Sequence, residues 1–234
     1  MNKGLCLIFV FLVLLCGCSQ DNIFTKTENG SLVSQSGVEY THLANEGILY
    51  YLGELEFQGY VKGEEKTSQH LGYSYQTGLF AIKNDESNNI LIRCTPNNEW
   101  FSIYRKASLP PFDFSVDNCI RLEFVPSIGN IENDVIHTTC GDGIVDTSEI
   151  AEFLSNVRSQ KAPREVGLYD LVRKPDGRLE NCYTYAVIYG FFEDDPHIVI
   201  RMNITSYNDL AYAVSVEGKE YVLPNEWLQR LQNS

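Results

Sequence analysis

An unbroken apolar run at residues 5–15 opens the chain, and the hydrophobic positions then change period more than once. From residue 38 to about 104 the pattern is that of strands. Leu55, Phe57, Gly59 and Val61 alternate with the residues between them, a period of two that suits a half-buried strand. Gly53, Gly59 and Gly63 punctuate this stretch and predict bends or bulges. Residues 73–83 and 89–94 read as two strands joined by the polar turn 84–88, and residues 100–105 as another. Leu109-Pro110-Pro111-Phe112 cannot extend a ladder, because adjacent prolines lack N–H donors, and predicts a crossover or seam. Residues 119–125 place Ile120, Leu122 and Phe124 on one face and Arg121 and Glu123 on the other. The period then lengthens. Asp146 is a candidate helix cap with Glu149 three residues on, followed by Ile150, Phe153, Leu154 and Val157 at helical spacing, and Pro163 ends the helix. Residues 168–172, 182–192, 197–205, 210–216 and 220–223 read as strands. Pro224 opens a short final helix with Trp227, Leu228 and Leu231 on one side. The predicted fold class is α+β: mostly antiparallel β with one central amphipathic helix and a short C-terminal helix.

The apolar run at the start has eleven residues behind Lys3. A bilayer core needs about 20 apolar residues in a helix, so the run fits the core of a signal peptide better than a span. A plain secretory signal and an uncleaved anchor are the other readings. The run ends in Leu15-Cys16-Gly17-Cys18, which resembles the lipobox of bacterial lipoproteins: a branched apolar residue, two small ones, then cysteine. The resemblance covers only the first 20 residues. It implies removal of residues 1–17, lipid (palmitate-type acyl chains) on Cys18, and residence on the extracytoplasmic face of the cell membrane. Residues 18–37 then read as the lipidated cysteine and a flexible tether, since Ile23, Phe24, Leu32 and Val33 are their few large apolar residues. Such a coil would reach about 25 Å. Residues 38–112 are expected to form a β-rich subdomain and residues 113–234 an α+β subdomain.

Charge narrows the partners. The chain carries 18 Lys+Arg against 31 Asp+Glu, a net −13 that argues against nucleic acid. Loss of residues 1–17, whose one charged side chain is Lys3, takes this to −14. An acidic body is mildly repelled by an anionic leaflet and is expected to stand off it.

Candidate chemistry is sparse. Residues 138–149 follow the second half of a calcium loop, with Asp142, Gly143, Asp146 and Glu149 in place. Thr138 and Cys140 stand where Asp or Asn is expected, and a Gly-Asp-Gly turn feeding a capped helix explains the same residues. His137 and Cys140 offer two of the four ligands that a closed zinc site needs. Neither constellation designates a metal or cofactor. Cys94, Cys119, Cys140 and Cys182 follow Cys18, and they read equally as two disulfides or as buried thiols. No G-x-S-x-G elbow, P-loop or G-x-G-x-x-G is present, and Ser206-Tyr207-Asn208 matches the S-x-N element of penicillin-binding enzymes without its S-x-x-K. Tyrosine is abundant at 14 residues, which suits either strand packing or an aromatic platform for sugars or peptides. No catalytic residue is nominated. The expected role is a non-catalytic, membrane-anchored module that binds a protein, peptide or glycan. A cell-envelope hydrolase assembled only in three dimensions and a solute-binding lipoprotein are the alternatives.

Overall fold

The computed structural model describes residues 22–43, 48–70, 73–94, 101–126 and 143–233. Strands dominate, as the alternating pattern predicts. A closed barrel has the order β1 (Asn22–Lys26), β2 (Leu32–Val33), β3 (Glu39–His42), β10 (Phe101–Lys106), β9 (Ile90–Cys94), β8 (Gly78–Ile82) and β5 (Leu55–Val61). Every pairing in it is antiparallel except the closing seam, where β1 runs parallel to β5 with Asn22 opposite Gly59 and Phe24 opposite Val61. A second sheet has the order β11 (Arg121–Pro126), β12 (Cys182–Phe191), β13 (Ile198–Tyr207), β14 (Ala211–Val216) and β15 (Lys219–Val222). Its sixth strand, β4 (Leu49–Tyr51), leaves the barrel segment to pair with the start of β13. A hairpin of β6 (Thr67–His70) and β7 (Tyr73–Gln76) stands apart from both sheets.

Among the described residues, three α-helices accompany the second sheet. The first, α1 (Thr147–Arg158), starts where Asp146 accepts the Ser148 backbone N–H at 2.8 Å and buries Ile150, Phe153, Leu154 and Val157. Glu149 does not close a capping box with its carboxylate. It instead meets Arg230 at 2.8 Å, on α3 (Asn225–Asn233), whose buried residues are Trp227, Leu228 and Leu231. Residues 168–172, expected as a strand, form the short helix α2 (Leu168–Val172). The physical reason is the spacing of its two buried residues, Leu168 and Val172, which lie one helical turn apart and pack with Tyr207 and Ala213.

One hydrophobic core joins the two sheets. Along β9, Leu91 points into the barrel, while Ile90 and Ile92 point outward against Leu122, Ile188 and the α1 stripe. Likewise Tyr104 faces the barrel interior and Ile103 the shared core. Strands buried on both faces carry near-continuous apolar runs, which explains Ile90-Leu91-Ile92.

Residues 22–37 correct the expectation of a flexible tether. From Asn22 onward the chain is already in the barrel, with Phe24 and Leu32 buried inside it. A small barrel takes few inward side chains from each strand, so a stretch with one buried residue per strand suffices as a stave. Composition averaged over the segment hides that. The expected strand 73–83 is also divided: β7 pairs with β6, and β8 pairs with β5 and β9. Ile120 lies just outside β11 and is 41% exposed, so only Leu122 and Phe124 of that expected inward face are buried. Gly59 does mark a bulge, at a register shift between Phe57 and Gly59.

Candidate functional site

The barrel opens at one end into a cavity of about 440 Å³. Its wall starts with the first strand. Asn22 and Phe24 both line it, two residues apart on β1 and so on the same face. Phe24 and Tyr40, in edge-to-face contact at 6.2 Å, form its aromatic floor with Val38 and Leu91. Burial and the Asp85 carboxylate both push the Tyr40 phenol above its ordinary value, so it stays protonated and able to donate.

The rim is built from two turns and two strand ends. In the turn after β2, the Ser34 hydroxyl accepts the Val38 N–H at 3.0 Å and lies 2.9 Å from the Ser36 hydroxyl. Gly37 takes a left-handed φ of 84° there, a conformation that costs glycine little. Ser34, Gln35 and Ser36 line the cavity. The second turn, between β8 and β9, is organised by Asp85. This buried carboxylate accepts the Ile90 N–H at 2.9 Å, and its backbone carbonyl accepts from Asn88 at 2.9 Å. That arrangement sets Ser87 and Asn88 on the rim. Gln58 on β5 and Lys106 at the end of β10 complete it. Lys106 donates to the Ser87 carbonyl at 3.0 Å, which ties the strand end to the turn. An ammonium has three N–H donors, so two are left over from that bond.

Among the described residues no carboxylate lines this mouth. Exposed Glu39 and Glu86 flank the lining residues without lining the cavity. Hydroxyl and amide groups over an aromatic floor, with a single ammonium, are chemically suited to a hydrogen-bonding group that is neutral or singly negative.

The candidate site residues that are described do not line this cavity. Cys18, the lipid-attachment candidate, is outside the described residues, as are His137, Cys140 and Asp142. Of the candidate calcium loop, Asp146 serves as the α1 cap and Glu149 pairs with Arg230. Hydrogen bonds from Ser148 hold the Asp146 carboxyl below its ordinary value. Among the described residues no group of three or more His, Cys, Asp and Glu side chains is arranged to hold a metal. Cys94, Cys119 and Cys182 are free thiols. Burial raises the first to about 11 and the second to about 12, which suppresses their thiolates.

Ser206 is fully buried. Its hydroxyl donates to Asp209 at 3.0 Å and accepts the Asp209 N–H at 3.1 Å. Asn208 and Asp209 both have positive φ, as the two central residues of a tight β13–β14 hairpin need, so these contacts build a turn. The tyrosines are dispersed among packing contacts. Tyr185 lies 4.9 Å from Tyr212, Tyr169 lies 5.5 Å from Tyr207, and Tyr50 contacts Phe101 at 5.3 Å. Among the described residues, Tyr40 is the tyrosine that lines the cavity. No helix among the described residues is long and apolar enough to cross a membrane.

Sequence reasoning missed the mouth. Its residues are scattered from Asn22 to Lys106 and no two strands contribute a recognisable motif. The turn 84–88 was the one legible piece. No protein-family model matches the chain, and no curated protein or solved structure is significantly similar to it.

Proposed function

We propose that this chain is a lipid-anchored, extracytoplasmic binding module, held by acyl chains on Cys18, that binds a hydroxyl-rich ligand of the glycan class in the barrel mouth. Its fold is read as α+β, with α1 the central amphipathic helix. The observation that carries the ligand assignment is the carboxylate-free lining of amides, hydroxyls, two aromatic rings and Lys106. Sugars offer matched donors and acceptors to amide and hydroxyl groups, and their C–H faces lie well on aromatic rings. A hydrolase reading draws less support, because a cleft for general acid–base chemistry needs converging ionisable groups, and among the described residues the lining holds Lys106 and the Tyr40 phenol.

Two measurements test the proposal. Metabolic labelling with palmitate should mark the full chain and should be lost in Cys18→Ala. A melting series against envelope oligosaccharides should give a rise in Tm, since a ligand at 100 times its Kd adds about 2.7 kcal/mol. Gln58→Ala combined with Asn88→Ala should abolish that rise. A rise that survives both substitutions would move the ligand away from the mouth.

A further inference from the structure

Resting on the lipid-anchor reading of Cys18, we infer that the barrel mouth faces the membrane and takes the polyhydroxylated headgroup of a lipid in the same leaflet. The argument begins with chain length. Strand β1 starts at Asn22, and Asn22 lines the mouth. Only Ser19, Gln20 and Asp21 separate it from Cys18. A fully extended chain advances at most about 3.6 Å per residue, so Asn22 lies within about 14 Å of the anchored cysteine. The link attaches at the rim of the cavity, and β1 then runs inward, away from it, to bury Phe24. A longer coil would leave the body free to turn. A link of three residues joined to the rim holds the mouth toward the bilayer.

The charge of the cavity lining is compatible with the same face. After loss of residues 1–17 the chain carries net −14, and an anionic leaflet repels such a body. Among the described residues no carboxylate lines the cavity itself and Lys106 sets an ammonium at its edge, while exposed Glu39 and Glu86 flank the lining residues, so the lining adds nothing to that repulsion. Asp21, the single acid of the link, weighs against a headgroup with several negative charges. What fits is a headgroup rich in hydroxyls with no charge or one. Such a ligand need not leave the bilayer, because its acyl chains stay in the lipid and only the polar part enters. Anchor and ligand then share one layer, where effective concentrations reach about the millimolar range and weak intrinsic affinity suffices.

The test uses the lipidated full chain, matured in cells and reconstituted into vesicles of phosphatidylcholine, with or without a monoglucosyl diacylglycerol. A membrane-impermeant amine-acylating reagent is applied, and labelling of Lys106 is compared by mass spectrometry with that of exposed Lys219. Occupancy of about four-fifths, reached at about four times Kd, slows Lys106 labelling about fivefold in the glycolipid vesicles while Lys219 is unchanged. Gln58→Ala should restore the faster rate. Equal labelling of Lys106 in both vesicle types overturns the inference. Protection by soluble methyl glucoside together with none by glycolipid vesicles also overturns it, and leaves glycan binding intact with the mouth turned away from the bilayer. An intact mass without the diacylglyceryl group on Cys18 removes the anchor reading on which the inference stands.

Discussion

Arg105 and Asp195 meet where the barrel joins the second sheet. The Arg105 guanidinium Nε lies 3.0 Å from the Asp195 carboxylate, both side chains are nearly buried, and the same Arg105 reaches the Pro110 carbonyl at 2.7 Å. Burial raises the Asp195 carboxyl above its ordinary value, and Arg105 offsets this only in part. The two partners are therefore not equivalent. Arg105→Met would strand a buried carboxylate, and removal of one partner of a buried pair costs about 3–5 kcal/mol. Asp195→Asn should cost less, since the neutral side chain is the form that burial favours. The double variant should recover much of the Arg105→Met loss in urea titrations. The sign of the pH effect follows from the same shift. Between its ordinary value and its raised folded value, the native state binds more protons at Asp195 than the unfolded chain does. This residue's unfavourable contribution therefore fades as pH falls through the folded value. The advantage of wild type over Asp195→Asn should therefore shrink as pH rises from the ordinary carboxylate value through the raised folded value, and be flat above it. Asp146 has the opposite sign. Its lowered carboxyl stabilises α1 above the ordinary carboxylate value, and that contribution is lost as pH falls through the lower folded value. At this scale the sequence showed Asp146, because a cap is a local arrangement. It did not show Arg105 and Asp195, which are 90 positions apart and acquire meaning only when β10 packs beside the β12–β13 turn.

At the scale of elements, the barrel depends on the seam between β1 and β5. A Cβ on Gly59 would collide with the Asn22 backbone carbonyl, and one on Gly78 would stand 2.6 Å from the Gly59 carbonyl. Glycine at 59 is thus required by the closeness of the two strands. Gly59→Ala should push β1 off β5, at a cost of about 1–3 kcal/mol typical of overpacking. Hydrogen exchange should report it as lost protection over residues 22–26, with β12 and β13 protected as before. If those strands exchange faster as well, the seam is not the element affected. Legibility followed the same division. Hydrophobic periodicity identified β5, β9, β11, α1 and α3, each carrying several apolar residues on one face. It failed for β1 and β2, where one buried residue per strand gives no period to read. It also failed for α2, five residues long, in which a single i,i+4 pair is indistinguishable from a short strand.

For the whole molecule, the decisive feature is the shared core. Ile82, Ile90, Ile92 and Ile103 of the barrel strands lie in one cluster with Leu122, Ile188, Ile200, Phe153 and Trp227. The division at residue 112 expected from the Pro-Pro sequence is a crossover between sheets, and the hydrophobic interior continues across it. Unfolding should therefore be one transition. Trp227 is buried against Phe153 at 5.3 Å on the helix side of the core. Trp227 fluorescence read in a Trp100→Phe background, far-ultraviolet circular dichroism and protection of Leu91 in the barrel should lose native signal at the same urea concentration. Separate midpoints would mean that barrel and sheet are independent. Phe153→Ala, which cuts into that core, should lower the common midpoint by about 3–5 kcal/mol in stability.

The excursion of β4 sets an order in time. Leu49 pairs with Ile200, and Tyr51 with Ile198, so a strand made early waits for one made near the end. Pairings between such distant positions close large loops and form slowly. A chain that emerges N-terminus first would hold β4 unpaired until most of the remaining residues have followed. During that interval Leu49, Tyr50 and Tyr51 form an apolar edge without its neighbour, and it is then that holding factors or proteases would meet this chain.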